Sequence, residues 1–240
     1  MTRDVTYSER GLIQGELRAQ RGGKVIRFAW PPYKGAHPDC YRTFKGSTTL
    51  APAEGLDLAV LTHGAHNQDT PLWKKAELKF SYRSYVRTPH RCLLIPSGNI
   101  KGDPCLSGIL VERDVEGNGL NTIMNVPDLS SWRQNDDGVY VQHDNSYSAV
   151  FVPSTSYEGR SFEKDGVAHA HLTPEGAELF ARTARDAGLD PYNWLAHRVN
   201  KIKSPEQRVS LLSKLKDMLY LGGHFLDDEE EGYTFARFIE

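Results

Sequence analysis

The chain has 240 residues, with 29 Lys and Arg against 31 Asp and Glu and a formal net charge of −2. It is long enough to bury a substantial core, and it lacks the overall basicity that would mark a nucleic-acid binder by charge alone. Three cysteines, Cys40, Cys92 and Cys105, include no CxxC pair and fit free thiols better than a disulfide framework or a zinc site. The polar, charged start MTRDVTYSERGLIQGELRAQ does not read as a signal peptide, and no apolar run reaches the length of a membrane span, so a soluble, cytoplasmic protein is expected.

In chain order, SERGLIQGELRAQ reads as a short helix capped by Ser8, with Leu12, Ile13 and Leu17 on one face. From residue 24 to about 160 the chain reads as strands: KVIRFAW, LDLAVLTHG, KKAELKFSYRSYV, RCLLIPSG, SGILVERD, NTIMNVPDL, GVYVQHD and YSAVFVPS. Clusters such as GNIKGDP, VEGNG and QNDDG divide them, and HDNSYS reads as a hairpin turn. The short spacings favour antiparallel pairing. After residue 172 the period lengthens. TPEGAELFARTARDAG has Thr173 as N-cap, Pro174 at the first helical position and Gly188 at the C-cap. DPYNWLAHRVNKI and SPEQRVSLLSKLKDMLYLGG repeat the pattern, with Gly222 and Gly223 as a stop. On the last of these Leu211, Leu212, Leu215, Met218 and Leu219 form an amphipathic stripe. The terminal GYTFARFIE alternates like a strand. The expected fold is α+β in a single domain over 1–240: β-rich at 24–160, helical at 173–223, with a loop and strand at 224–240.

The stretch at 74–86 carries the first chemical signal. Read as a strand, it turns Ala76, Leu78, Phe80, Tyr82, Ser84 and Val86 to one face and Lys75, Glu77, Lys79, Ser81, Arg83 and Tyr85 to the other. From Lys74 to Arg91 there are six Lys or Arg and one acid. Lys74, Lys75, Lys79, Arg83, Tyr85, Arg87 and Arg91 would suit a phosphate backbone. The plain alternative is a solvated strand with lysines blunting an edge. Glu77-x-Lys79 with Asp57 or Asp69 upstream also matches a magnesium nuclease, in which two carboxylates hold the cation and the lysine places water. A second cluster, LGGHFLDDEEEGY, sets His224 three residues before Asp227, an arrangement suited to acid–base work or to holding water. Its plain alternative is an exposed acidic loop.

Taken together, Glu77 with Tyr82 five residues on and His224-x-x-Asp227 near the C-terminus resemble the PabI-type restriction DNA glycosylases. That family has a strongly curved, half-pipe-like antiparallel sheet, and the resemblance implies one here, beside the helices that the periodicity places mainly in the C-terminal third. It implies a catalytic set of Tyr82, His224, Asp227 and Glu77, completed by an arginine: Arg42 in CYRTFKG, or else Arg27 in KVIRFAW. It also implies a homodimer on double-stranded DNA, a short palindrome such as GTAC, base flipping, and metal-independent, cofactor-free excision of adenine. Strand breakage follows at the abasic site, by an intrinsic lyase step or another enzyme. Because Glu77 and Tyr82 are five apart, a regular strand would turn them to opposite sides, so a bulge is expected between them. Adenine loss builds positive charge on the sugar, which Asp227 or Glu77 would stabilise while His224 with Asp227 holds water. Tyr82, Tyr85, Tyr140, Tyr147 or Trp132 would supply stacking. The other enzyme reading is the magnesium endonuclease of Asp57 or Asp69, Glu77 and Lys79, and the non-enzymatic one is a DNA-gripping β protein.

Three further motifs carry less. His63 and His66 in HGAH, with Asp69, lack a metallohydrolase spacing. HAHLTPEG, with His169 and His171, contains a single H-x-T motif where a two-histidine phosphoesterase needs two. Ser154-Thr155-Ser156 with Glu229-x-Glu231 is similar to an ADP-ribosyltransferase pattern, but Pro153 interrupts its strand.

Overall fold

The structure is a computed structural model that describes residues 5–10, 15–35, 44, 47–81, 84–113, 124–142, 149–224 and 232–239. The first stretch holds β1 (Val5–Arg10), β2 (Gly15–Arg21), β3 (Lys24–Trp30), β4 (Tyr33–Gly35) and β5 (Leu50–Pro52), then helices α1 (Gly55–Asn67) and α2 (Pro71–Glu77). Strands β6 (Val86–Ile95), β7 (Gly108–Arg113), β8 (Arg133–Gln134), β9 (Tyr140–Val141) and β10 (Ala149–Pro153) follow. Helices α3 (Gly166–Leu172) and α4 (Pro174–Asp186), β11 (Asp190–Asn193) and helix α5 (Trp194–Val199) come next. The chain then makes β12 (Glu206–Leu215), β13 (Met218–His224), β14 (Gly232–Thr234) and β15 (Ala236–Phe238).

The fold is mixed α+β and rich in antiparallel pairing. Among the described residues the strands form two sheets rather than one large curved sheet, and neither is closed or strongly curled. The first runs β1-β2-β3-β15-β5 and is antiparallel throughout. The second runs β11-β13-β12-β6-β7-β10-β9-β8. Its parallel pairs are β11 with β13 and β14 with β6, and β4 pairs with β14.

Several elements match the sequence reading. β3, β6, β7 and β10 form where apolar runs predict them, and GYTFARFIE forms β14 and β15. Helix α4 starts as expected: the Thr173 hydroxyl accepts the Gly176 N–H at 3.2 Å and Pro174 takes the first turn. It ends at Asp186 with Ala187 as C-cap, and the next residue, Gly188, takes a φ of 68° that suits glycine.

Four segments are corrected. Residues 8–10 and 15–20 lie in β1 and β2, not in a helix, while 11–14 lie outside the described residues, and β2 turns into β3 through Gly22 and Gly23, both at positive φ. LDLAVL is helix α1, not a strand. A short apolar run buried all round fits either element, and here it packs on several sides. Residues 74–80 end helix α2 and pass through a 3-10 turn, Leu78–Phe80, so the expected strand does not form there. Residues 206–224 form the β12–β13 hairpin, not a helix. The helices therefore fall into two groups, 55–77 and 166–199, and are not concentrated in the last third. DPYNWLAHRVNKI divides into β11 and α5, and the HDNSYS turn lies outside the described residues.

One apolar core joins both sheets to α1 and α4. Leu17 and Phe28 enter from the first sheet, Leu94, Ile109 and Val152 from the second, and Leu58, Leu61 and Phe180 from the helices. The alternate residues Leu93, Ile95, Leu110 and Phe151 face a second cluster on the far side of β6, β7 and β10, so these strands are buried on both faces. The N-terminal end of α1 is tied to each sheet. Arg113 of β7 reaches Glu54 at 2.7 Å and Arg237 of β15 reaches Asp57 at 3.1 Å. Burial pushes both carboxyls up, partly offset by these guanidinium groups. Gly64 lets α1 approach α2 closely, since a Cβ there would lie 2.5 Å from the Trp73 ring. Gly64→Ala should therefore cost about 2 kcal/mol of stability by overpacking, read as a lower denaturation midpoint.

Candidate functional site

The face of β12–β13 turned away from the main core carries a concave pocket of about 490 Å³. Three non-local pieces build it. The hairpin supplies Leu211, Leu215, Met218, Tyr220 and His224. β11, parallel to β13 with Tyr192 opposite Tyr220, supplies Tyr192. The first turn of α5 supplies Trp194, and that turn is fixed by a run of caps. The Asn193 side chain accepts the Ala196 N–H at 3.1 Å and donates to Asp165 at 2.8 Å, while Asp165 caps α3 through the Val167 and Ala168 N–H groups. Burial raises the Asp165 carboxyl despite these bonds.

Gly222 and Gly223 do not stop a helix. They lie within β13, where a Cβ on Gly222 would meet the Tyr220 ring at 2.6 Å and one on Gly223 would meet Leu195 at 2.9 Å. Their missing side chains let the Tyr220 ring lie across the strand and let α5 close the wall.

One wall is cationic. Arg208, whose side chain is 3% exposed, contacts Glu206 and lies 5.7 Å from the centre of the Trp194 ring. Arg198 donates to the same carboxylate at 3.1 and 3.3 Å. Burial would raise the Glu206 carboxyl, but the hydrogen bonds and charges of the two arginines outweigh it and hold it below the usual range. Two guanidinium groups thus meet at one carboxylate on this wall.

At the end of β13 the half-buried His224 ring stacks on Tyr85, with centroids 4.6 Å apart and planes at 23°. Arg87 donates to the Tyr85 hydroxyl at 3.3 Å and to the Gly35 carbonyl at 2.6 Å. Just beyond, Thr88, Pro89 and His90 stand opposite the single residue Ser210, a bulge that uses the missing N–H of proline.

Of the predicted catalytic residues, Tyr82, Asp227 and Arg42 lie outside the described residues, as do Arg83 and Tyr147. Glu77 ends α2 and contacts Lys74 at 3.3 Å and Lys214 at 4.0 Å. Lys79 covers the Tyr233 ring at 4.3 Å, and the Tyr233 N–H donates to the Tyr85 carbonyl at 2.9 Å. A continuous run of contacts thus leads from Lys79 through Tyr233 and Tyr85 to His224. Lys74 and Lys75 are exposed on α2. By contrast Tyr85, Arg87 and Arg91 are not an exposed phosphate-facing row. Tyr85 and Arg87 are buried in the contacts above, and Arg91 is paired with Glu112 at 2.7 Å. Arg27 belongs to the other sheet, paired with Glu16 at 2.6 Å.

The magnesium-site geometry is also corrected. Glu77 and Lys79 lie on helical backbone, where residues two apart face nearly opposite sides, so they do not share a strand face. Asp57 pairs with Arg237 and Asp69 with Lys74 at 3.0 Å. Trp132 and Tyr140 pack against the second core cluster, and Tyr192, Trp194 and Tyr220 form the aromatic wall instead.

The histidine motifs are structural. His63 lies 2.5 Å from the Tyr7 hydroxyl and His66 contacts the Thr62 carbonyl at 2.9 Å. His169 contacts the Glu163 carbonyl at 2.8 Å. His171 resembles a catalytic base, because its Nδ1–H donates to the Val167 carbonyl and its Nε2 accepts from Ser210 at 2.9 Å, beside Cys92. All three side chains are buried, however, and burial pushes the Cys92 thiol up to about 12 and His171 down to about 4. The cluster is an internal polar tie.

Comparison with known protein families, curated proteins and solved structures finds no match to this chain.

His63 and His171 are both pushed from 6.5 down to about 4, chiefly by burial, so the unfolded chain takes up protons before the folded one does. Stability should fall as pH drops from about 6.5 toward 4, with the raised carboxyls of Glu54, Asp57 and Asp165 opposing it at the acid end. Urea midpoints across this range should show a shallower slope for His171→Asn than for the wild-type chain, whatever its absolute stability.

Proposed function

We propose that the chain is a sequence-specific restriction DNA glycosylase, which extrudes adenine from a short GTAC-like palindrome and cleaves its N-glycosidic bond. The observation that carries this reading is the Tyr85–His224 stack at the end of a pocket walled by Tyr192, Trp194 and Tyr220, with two guanidinium groups on one side. A duplex base must leave its stack before an enzyme can reach the sugar bond, and an extruded base is held by aromatic faces. The volume of about 490 Å³ lies in the range of small-molecule sites.

In this reading the purine stacks in the aromatic pocket and the guanidinium donors beside it attract the adjoining phosphate. His224, its ring held by Tyr85, positions water or moves a proton as the base departs. Positive charge developing on the sugar would be stabilised by the carboxylates of Asp227 and Glu77, the roles the resemblance assigns them, and Tyr82 and Arg42 would complete the set. The reaction needs no metal or cofactor. A homodimer would treat both strands of the palindrome, each subunit one strand. The abasic product breaks by β-elimination or through a second enzyme.

With GTAC-containing duplex in excess EDTA, chromatography should detect free adenine. His224→Ala should lower the rate by about a hundredfold or more, and Trp194→Ala by about tenfold through lost stacking. Intact bases, with strand cleavage only after magnesium is added, would overturn the assignment.

A further inference from the structure

Tyr192 lines a second cavity as well as the aromatic pocket. This one has a volume of about 270 Å³ and opens between the turn at 157–160 and the junction of β11 with α5. Its lining is of another kind. Tyr157, Asp165 and Asn193 are buried in it, and Glu158, Arg160 and Asn200 stand exposed around them. The Asn200 side chain donates to Glu158 at 3.0 Å and ties the C-cap of α5 to the turn.

Tyr157 is the group that the fold leaves unexplained. It is 3% exposed, yet its hydroxyl has no hydrogen-bond partner among the described residues. A buried polar group left in that state costs about 1–3 kcal/mol. Burial first, then the carboxylates of Glu158 and Asp165, pushes its pKa above the ordinary value, so the hydroxyl keeps its proton. Both carboxylates are thus within electrostatic reach of a donor that neither accepts. One water would need only about 10–15 Å³ of such space, far less than the cavity offers.

These groups set what fits. An ionised carboxyl has about four acceptor positions. Asp165 uses three of them on the Val167 and Ala168 N–H groups and the Asn193 amide, and keeps one. Glu158 is bonded to Asn200 and has more to offer. A ligand must therefore accept from Tyr157 and donate to the carboxylates. An ammonium donates only and would leave the tyrosine unmet. A phosphate would find Arg160 at the rim, but with two carboxylates beside it. A hydroxyl both donates and accepts, and a ring that carries several can lay its C–H face on the half-buried Tyr192.

We propose that this cavity binds an uncharged sugar, held through adjacent hydroxyls by Tyr157, Asp165 and Glu158 and stacked on Tyr192. The site stands on its own geometry and does not depend on the glycosylase reading. Asp165 and Asn193 also fix the first turn of α5, so the sugar and the Trp194 wall share one run of hydrogen bonds.

The test is an NMR titration of the full chain with D-ribose, D-glucose and D-galactose, and with ribose 5-phosphate and glucosamine as charged counterparts. At least one neutral sugar should saturate, and its charged counterpart should bind more weakly. Tyr157→Phe should weaken that binding about fivefold, with a melting midpoint unchanged or higher, because the hydroxyl it removes has no partner in the fold. Glu158→Gln, at an exposed residue, should weaken it by a similar factor, while His224→Ala in the aromatic pocket should leave it within about twofold. Failure of all three neutral sugars to saturate would overturn the proposal, as would tighter binding of a charged counterpart or an affinity untouched by Tyr157→Phe. A lower melting midpoint for Tyr157→Phe would mean that the hydroxyl is bonded within the fold, and would overturn it too.

Discussion

The β12–β13 hairpin is apolar on both faces, and the rest of the molecule is arranged around that constraint. Leu212, Leu219 and Leu221 turn inward to the main core, while Leu211 and Tyr220 turn outward with the half-buried Leu215 and Met218. A one-residue slip would exchange the two faces. Register is held by the two-residue turn Lys216–Asp217, with Lys216 at a φ of 52°, and by β11, whose Asp190 N–H donates to the Asp217 carbonyl at 2.7 Å. Because both faces are committed, the outer one needs its own cover. Tyr192 and Trp194 supply part of it, and the uncovered remainder is the pocket.

Polar residues finish what the apolar pattern begins. Arg208 is almost fully buried, and a buried guanidinium without a counter-charge is strongly destabilising. Glu206, two residues away on the same strand, satisfies it and also draws in Arg198 from α5. One carboxylate thus joins the helix carrying Trp194 to the strand beneath the pocket. Asp165 and Asn193 do the same from the other side through consecutive caps. The aromatic wall is set by hydrogen bonds made away from any ligand, which is how a site becomes pre-organised.

The parts of the fold that the sequence reveals are those with local causes. Thr173-Pro174 and Gly188 bracket α4 because caps act over a few residues, and β6 and β7 are apolar runs too short for helices. The same Thr-Pro grammar stands at Thr70-Pro71 and opens α2. Reading from Lys74 hides it, since the buried spacing begins at Leu72 and Trp73. In 206–224 Ser204-Pro205 mimics a helix start, and a Lys-Asp turn lacks the glycine or asparagine that marks most tight hairpins. His224 is legible from its neighbourhood in sequence. Tyr192, Trp194, Arg208 and Tyr220 are not, because parallel pairing of β11 with β13 and the docking of α5 bring them together.

Charge arrangement gives the proposed activity a particular character. A chain of net charge −2 can hold a polyanion only through local clusters. Here several of the cations already have carboxylate partners: Lys74 holds Asp69 and Glu77, and Arg198 and Arg208 at the pocket share Glu206. A phosphate arriving at such a pair competes with the carboxylate and releases fewer counterions than one meeting a bare lysine. On the glycosylase reading this tempers the salt dependence and weakens indiscriminate binding to DNA. Discrimination then rests on the step that few sequences permit, the removal of a base from the stack into a pocket of fixed shape.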